Sequence, residues 1–170
     1  MNVSNFTEKS KDIITVANSI TAQNNNSEIT DFHMMSAFLQ DKQGLIYLLL
    51  KKMDVDVDAL NTIIQSEIDT MPKSKGSAIR FSDNVEKSLD DAERQAKEMK
   101  DEFIAVEHLM LGIIRDGEGK AVQIMHELNI DEWDIKKQIE KEIKNTIESE
   151  ETTNQPDITI SKTTERVLRM

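Results

Sequence analysis

The sequence predicts an all-α protein, built as two tandem four-helix repeats that form a pseudo-twofold bundle of eight helices. Three observations support this prediction. Strong helix formers (Lys, Glu, Ile, Leu, Met, Ala) dominate the composition, whereas Gly (5 residues), Pro (2 residues) and aromatic residues (4%) are scarce. The chain repeats itself after 75 positions. Within each copy, apolar residues recur at helical spacing.

The internal repeat is the strongest of these signals, because residues 4–70 align with residues 79–145 without a gap. The alignment contains eleven identities, where roughly four are expected for unrelated sequences of this composition. The identical pairs are Phe6 and Phe81, Ala17 and Ala92, Ile29 and Ile104, His33 and His108, Met35 and Met110, Asp41 and Asp116, Gly44 and Gly119, Asp56 and Asp131, Ile64 and Ile139, Glu67 and Glu142, and Ile68 and Ile143. We therefore predict a double-repeat domain over residues 1–147, with repeat one at 4–70, a linker at 71–79 and repeat two at 80–145.

The first two helices of each copy have clear signals. Thr7 and Ser82 are predicted N-caps, because each hydroxyl can accept a hydrogen bond from an unpaired backbone N–H. Helix one is predicted from about 8 to 24. Helix two starts near Asp31 in repeat one and near Val106 in repeat two. Both of these second helices are apolar over most of their faces, which is typical of central, buried helices.

The last two helices of each copy follow turn residues. In repeat one the third helix follows Gly44 and ends near Met53, and the fourth helix begins at Asp56. Repeat two has corresponding signals 75 positions later. Residues 71–79 contain Pro, Gly and Ser, which is typical of a linker. Residues 148–170 are predicted to form a polar tail, in which ITISKTTERVL is typical of the first helix of a further segment.

Charge and composition exclude several classes of function. With 32 acidic and 21 basic residues the net charge is −11, which repels phosphate backbones and anionic membrane surfaces. We therefore expect neither a nucleic-acid nor a membrane partner. The chain has no cysteine, which excludes disulfides, thiolate metal ligands and cysteine nucleophiles. No apolar run approaches the roughly 20 residues of a membrane span, and no signal peptide is evident, so the expected location is cytoplasmic.

No residue pattern predicts catalysis, a metal site or a cofactor in this chain. The segment GIIRDGEG has two glycines at the spacing of a phosphate loop, but Glu118 stands where the lysine is needed. The segment DVDVD resembles the start of a calcium loop. There, Ala59 replaces the glycine of the sharp turn and Gln65 replaces the bidentate glutamate.

The histidines and methionines of the apolar helices are predicted to be structural. His33 and His108 occupy the same place in both repeats, and neither has a second ligand at i+3 or i+4 that would form a zinc pair. We expect both to form structural hydrogen bonds. Met34, Met35 and Met110 are expected to fill the core, although thioethers also suit an adaptable binding surface.

The segment VEHLMLGIIRDGEGKAVQIM, preceded by a helix that opens with FT or FS and a polar stretch, resembles the Clp N-terminal repeat family over residues 4 to about 145. The second copy is similar to the ClpC form, whereas NNNSEI, KKMDVDVDAL and MPK in the first copy are similar to the ClpB form. The resemblance leaves both paralogues open. It implies a non-catalytic substrate- or adaptor-docking domain of an AAA+ unfoldase, in protein quality control, proteolysis or disaggregation. ATP is then expected only in a parent ATPase region.

The resemblance also implies three binding residues. In ClpB-like domains a threonine at the start of helix one, with an aspartate and a glutamate in the second repeat, is implicated in client binding, and this chain has Thr7, Asp101 and Glu107 there. In ClpC-like domains the glutamate of each EH pair recognises phosphoarginine; repeat two keeps Glu107, but repeat one has Phe32. The implied partners are unfolded or phosphoarginine-marked clients, adaptor proteins, and a Clp protease through the parent.

Each of these residues also has a structural interpretation. Thr7 caps a helix whether or not it binds a client, and the helix dipole stabilises Glu107 without any ligand. Our leading hypothesis is docking in a partly apolar groove between or beside the repeats, with acidic residues at its rim. The alternatives are a free-standing Clp-N adaptor or regulator without an ATPase, and a purely structural scaffold.

Overall fold

The computed structural model describes residues 5–76, 78–115 and 119–153 and, in the last helix, the side chains as far as Lys144. These ranges contain eight α-helices, which confirms the all-α prediction. Repeat one contains α1 (Glu8–Gln23), α2 (Asp31–Gln40), α3 (Leu45–Lys52) and α4 (Val57–Asp69). Repeat two contains α5 (Asp83–Glu98), α6 (Val106–Ile113), α7 (Lys120–Glu127) and α8 (Glu132–Thr153).

The first helix of each repeat begins at the predicted cap. Thr7 Oγ1 accepts a hydrogen bond from the backbone N–H of Ser10 at 3.2 Å. In repeat two, Ser82 Oγ accepts the equivalent bond from Val85 at 3.2 Å. Each cap satisfies one of the backbone donors that have no partner within the helix.

The second helices form the centre of the molecule. α2 packs against α1 and α4, and α6 packs against α5. The side chains of Met34, Met35 and Met110 are at most 1% exposed, so their predicted place in the core is confirmed. Buried apolar residues of both repeats form one continuous core cluster. Among the described helices, none is both long enough and apolar enough to cross a membrane.

Two short parallel pairings cross between the repeats. Strands β1 (Glu28–Ile29) and β2 (Arg80–Phe81) pair with Ile29 beside Phe81. Phe6 pairs with Ile104 in the same parallel sense. These are equivalent contacts, because Phe6 and Phe81, and Ile29 and Ile104, are related by the 75-residue shift. The opening segment of each repeat therefore lies against the segment before the second helix of the other repeat.

The two repeats also share unusual backbone conformations. Four described residues other than glycine have positive φ, and they form two pairs 75 positions apart. Asn25 (55°) corresponds to Lys100 (59°), and Asp54 (59°) corresponds to Asn129 (63°). Left-handed backbone is uncommon outside glycine. Its recurrence at matching positions shows that the two copies share turn geometry where their sequences differ.

One boundary differs from the prediction. Helix α8 continues to Thr153, so residues 148–153 are helical where the sequence predicts a polar tail. The physical reason is that Pro72 stands just after α4, whereas the next proline in repeat two is Pro156. Glutamate in this stretch favours helix. The further helix predicted after residue 157 and the segment 116–118 lie outside the described residues.

Candidate functional site

Thr7 lies beside the segment that contains the other two predicted binding residues. Its backbone N–H donates to the carbonyl of Ile104 at 3.0 Å. Ser10 Oγ, one helical turn further on, donates to the same carbonyl at 2.7 Å. The opening of α1 is therefore attached to the chain between Asp101 and Glu107, and the fold brings all three predicted residues into one region.

Asp101 and Glu107, however, lie in the interior. Asp101 is 8% exposed and Glu107 is 0% exposed. The Nδ1 atom of His108 accepts a hydrogen bond from the backbone N–H of Ala105 at 2.8 Å, so its Nε2 carries the proton and donates to Asp101 Oδ2 at 2.9 Å. The sequence places Glu107 at the start of α6, but it carries no signal that either residue is buried. A client could not touch either carboxylate in this conformation.

Repeat one contains a neutral version of the same arrangement. His33 Nδ1 accepts from the backbone N–H of Thr30 at 2.9 Å, and His33 Nε2 contacts Asn26 Oδ1 at 2.9 Å. Asn26 is the equivalent of Asp101. Burial, with a smaller contribution from the ammonium of Lys73, lowers the pKa of His33 to about 4. The predicted structural role of both histidines is confirmed.

Asp31 joins the two repeats directly. Its Oδ2 accepts from the backbone N–H of Ala121, in the first turn of α7, at 2.9 Å, and its Oδ1 accepts from Phe32 at 3.1 Å. Burial raises the pKa of Asp31, although these two backbone bonds act in the opposite direction. The equivalent residue in repeat two is Val106, which cannot make such a bond. The pseudo-twofold symmetry is therefore broken at this position.

An apolar groove of about 260 Å³ opens beside α1, α2 and α3 of repeat one. Its floor is formed by buried side chains, including Phe38, Ile46 and Val106. Half-buried Ile13 and Val16 of α1 form one wall. The exposed rim carries Lys9, Asp12, Gln40 and Asp41. This groove lies beside the helices of repeat one, and its rim is exposed, whereas Asp101 and Glu107 are buried.

A second crevice, of about 520 Å³, is lined in part by residues equivalent to those of the groove. Four equivalent positions line both openings: Lys9 and Asn84, Gly44 and Gly119, Leu45 and Lys120, and Val106 and Asp31. The second crevice is the more polar of the two, and its lining includes Glu28, Asp31, Glu67 and Lys120. The groove of repeat one therefore offers the apolar surface, and the crevice offers polar and charged groups.

The difference between the repeats has a steric cause at Gly112. A Cβ atom placed on Gly112 would lie 2.1 Å from the backbone oxygen of Ser88, so α5 and α6 approach each other at a distance that no side chain permits. The equivalent residue in repeat one is Ala37, whose methyl group prevents the same approach between α1 and α2. Ala37 and Ile13, the equivalents of Gly112 and Ser88, both line the groove. The Cβ of Ala37 therefore keeps α1 and α2 from the close approach that Gly112 permits between α5 and α6.

A further cluster was missed at the sequence level, where no metal site is predicted. His126, Asp131 and Glu132 each place one potential ligand atom within 4.8 Å of the others. The signal would have been the spacing of a histidine in the last turn of α7 and two acids at the start of α8, since a tight turn returns the chain between them. These residues do not line the groove.

Comparison with known proteins adds a family match. The model of the Clp repeat (R) N-terminal domain matches residues 5–128 and 107–170. ClpB of Clostridium perfringens is 33% identical over 136 residues, covering 76% of this chain and 16% of that protein. ClpB of Rhodopirellula baltica is 27% identical over 134 residues, covering 78% of this chain and 15% of that protein. This chain therefore spans about a sixth of the length of these relatives.

The fold is also found among solved structures. The crystal structure of the Hsp104 N-terminal domain from Candida albicans has a TM-score of 0.71 with this chain at 23% sequence identity. The match covers 79% of this chain and 88% of that one. At this level of identity the likeness shows the all-α double-repeat fold alone.

Proposed function

Since the chain belongs to the Clp repeat (R) N-terminal domain family, we propose that it is the N-terminal docking domain of a ClpB- or ClpC-type unfoldase and binds clients or adaptors in the groove of repeat one. The observation that supports this most strongly is the groove itself. It combines an apolar floor with an accessible wall at Ile13 and Val16. Unfolded segments expose apolar side chains, and their burial drives association.

The charge of the rim favours a particular kind of client. Among the described residues that line the groove, Asp12 and Asp41 stand beside one cation, Lys9, in a chain whose net charge is −11. Complementary charge increases association rates and discriminates between partners. We therefore expect segments that combine apolar residues with Arg or Lys to bind better than acidic segments of equal hydropathy.

The three residues implied by the family resemblance take indirect roles in this proposal. Thr7 holds the start of α1, which carries the groove wall. Asp101 fixes His108, and through it the start of α6, where Val106 joins the groove floor. Buried Glu107 follows Val106 directly. We propose that Asp101 and Glu107 affect binding by positioning this segment, and that Glu107 contacts phosphoarginine only if the segment moves.

A binding experiment with one matched pair of variants tests the groove. Casein serves as an unfolded model client, and its affinity is measured by fluorescence anisotropy. Ile13→Asp places a charge on the half-buried groove wall, so we expect binding at least roughly tenfold weaker. Leu48→Asp is the control, because Leu48 is a 42% exposed apolar residue outside the groove lining. Equal loss in both variants, or in neither, would contradict the groove as the docking site.

Phosphoarginine requires a separate titration, because the family resemblance leaves one glutamate of two. Free phosphoarginine is titrated into the chain and into Glu107→Ala. Saturable binding that disappears in the variant supports a surviving site at the start of α6. If phosphoarginine does not bind, or if Glu107→Ala binds it equally well, the ClpC-like part of the proposal is wrong while the casein result stands independently.

A further inference from the structure

The turn between α7 and α8 gathers three potential metal ligands on the surface. His126 lies in the last turn of α7, Asp131 precedes α8, and Glu132 is its first residue. The imidazole Nε2 of His126 contacts Glu132 Oε2 directly. One ligand atom from each of the three residues lies within 4.8 Å of the others. The side chains are 45% exposed at His126 and 23% exposed at Glu132, so an ion can reach them.

Asp131 keeps one oxygen for a ligand while it supports the turn. Its Oδ1 accepts a hydrogen bond from the backbone N–H of Trp133 at 2.9 Å, which caps the start of α8. That bond fixes the carboxylate of Asp131, whose second oxygen, Oδ2, does not take part in it. The hydrogen bond therefore orients the ligand in the way that second-shell contacts orient metal-binding carboxylates.

The equivalent turn of repeat one shows that the fold does not require these side chains. The backbone there has the same left-handed residue, Asp54 at 59° against Asn129 at 63°. Asp56, equivalent to Asp131, makes the same kind of cap through a bond from Ala59 at 3.0 Å. Lys51 and Val57, however, replace His126 and Glu132. The cap is thus common to both turns, whereas the histidine and the glutamate occur only in repeat two.

We propose that His126, Asp131 and Glu132 form a binding site for one divalent zinc ion. One imidazole nitrogen and two carboxylate oxygens are ligands that zinc accepts, with bonds of roughly 2.0–2.2 Å, and water completes a tetrahedral site with three protein ligands. Magnesium and calcium favour oxygen ligands alone, so the imidazole selects against them. The site is peripheral to the groove and is independent of the proposed docking function.

The chain contains its own reporter for this site. Trp133 is the single tryptophan of the sequence, it is 57% exposed, and its backbone is bonded to Asp131. Paramagnetic Ni²⁺ bound at the site should quench Trp133 fluorescence in a saturable manner, and Zn²⁺ should displace it. The other two histidines, His33 and His108, are fully buried, so they do not compete for the ion.

The test uses the full chain with two ligand variants and one matched control. Zn²⁺ is titrated by calorimetry and Ni²⁺ by Trp133 fluorescence, each also in the presence of excess Mg²⁺. We expect one Zn²⁺ per chain, unaffected by Mg²⁺. His126→Gln and Glu132→Gln should each weaken binding by more than the roughly tenfold that loss of a second-shell partner causes. Glu127→Gln, which removes an exposed charge next to His126 without removing a ligand, should bind as the wild type does.

Several results would overturn the site. Absence of saturable Zn²⁺ binding means that His126 and Glu132 form only an ion pair. Equal weakening in Glu127→Gln, or displacement by Mg²⁺, means that the ion responds to surface charge alone. Circular dichroism confirms that each variant is folded; if His126→Gln is not, Glu132→Gln provides the same test, because it removes a different ligand of the same ion.

Discussion

His33 and His108 occupy equivalent backbone positions in the two repeats but contact different side chains. Each imidazole accepts a backbone N–H at the start of a buried helix and contacts a side chain seven residues earlier. That side chain is Asn26 in repeat one and Asp101 in repeat two. The neutral amide cannot stabilise an imidazolium, whereas a carboxylate can. Among the residues that the structure describes, His33 therefore has no carboxylate partner that could offset the effect of burial on its pKa.

The stability of the protein should fall in mild acid because of His33. Its pKa is lowered to about 4 in the folded chain by burial and by Lys73, against 6.5 in the unfolded chain. The unfolded state therefore binds the additional proton, and the free energy of unfolding should decrease as the pH falls from about 6.5 towards 4, by roughly 3 kcal/mol in total from this group. Urea unfolding at a series of pH values measures this, and His33→Gln should lack that part of the decrease.

The partner exchange Asn26→Asp tests the same account from the other side. It gives His33 the carboxylate that His108 has, so the pKa of His33 should rise. An NMR titration of the imidazole Cε1 proton measures the change directly. If the pKa of His33 stays where it is in the wild type, burial alone controls its titration and the partner side chain does not contribute.

Gly112 and its equivalent, Ala37, are a second pair of positions at which the two repeats differ. We expect Gly112→Ala to destabilise the protein by about 1–3 kcal/mol, because the new methyl group would meet the backbone of Ser88 at 2.1 Å. The matched change Ala37→Gly at the equivalent position should cost only about 0.5–1 kcal/mol, from the conformational entropy of glycine. Urea unfolding measures the loss of stability in the two variants. Equal costs would mean that the closer approach of α5 and α6 does not depend on Gly112.

The helices themselves follow from local signals that the sequence displays. Caps at Thr7 and Ser82, turn glycines before α3 and α7, and apolar second helices all lie within a few residues of their predicted places. The end of α8 differs from its prediction, because a polar stretch is typical of a tail although glutamate-rich sequence also supports helix. A cap is a local interaction that the sequence displays. The end of an exposed helix depends on smaller differences in helix propensity.

The cap at Thr7 provides a prediction for one element. Thr7→Ala should reduce the free energy of unfolding by roughly 1 kcal/mol, and Thr7→Ser should largely restore it, because serine offers the same acceptor. Ser82→Ala is the matched change on α5. Under the proposed function, casein binding should weaken more in Thr7→Ala than in Ser82→Ala, since α1 and not α5 carries the groove wall. The reverse order would count against a groove on repeat one.

For the whole molecule, the internal repeat predicted most of the architecture and little of the site. A shift of 75 positions indicated two copies and eight helices, because equivalent sequences adopt equivalent folds. The crossing of the Phe6 and Phe81 segments between copies was not predictable, since two-residue strands carry too little pattern. Nor was the burial of Asp101 and Glu107, because a charged residue in an isolated motif gives no sign of the partners that enclose it.

The same limit applies to the groove. Ala37 lines the groove, whereas its equivalent Gly112 lies against the backbone of Ser88. The effect of one methyl group at this position can be judged only when the distance between the two helices is known. The acidic balance of the sequence predicts cationic partners, and the proposal that such partners bind the groove uses the rim residues Asp12 and Asp41. The proposed function thus depends on differences between the two repeats of one fold.

The most direct test of that asymmetry is an NMR titration of the ¹⁵N-labelled chain with an unfolded casein segment rich in apolar and basic residues. We predict amide shift changes concentrated on α1, at Lys9, Asp12, Ile13 and Val16, with little change at the equivalent positions of α5: Asn84, Lys87, Ser88 and Asp91. Changes that cluster on α5 and α6, or that spread evenly over both repeats, would contradict a docking groove on repeat one.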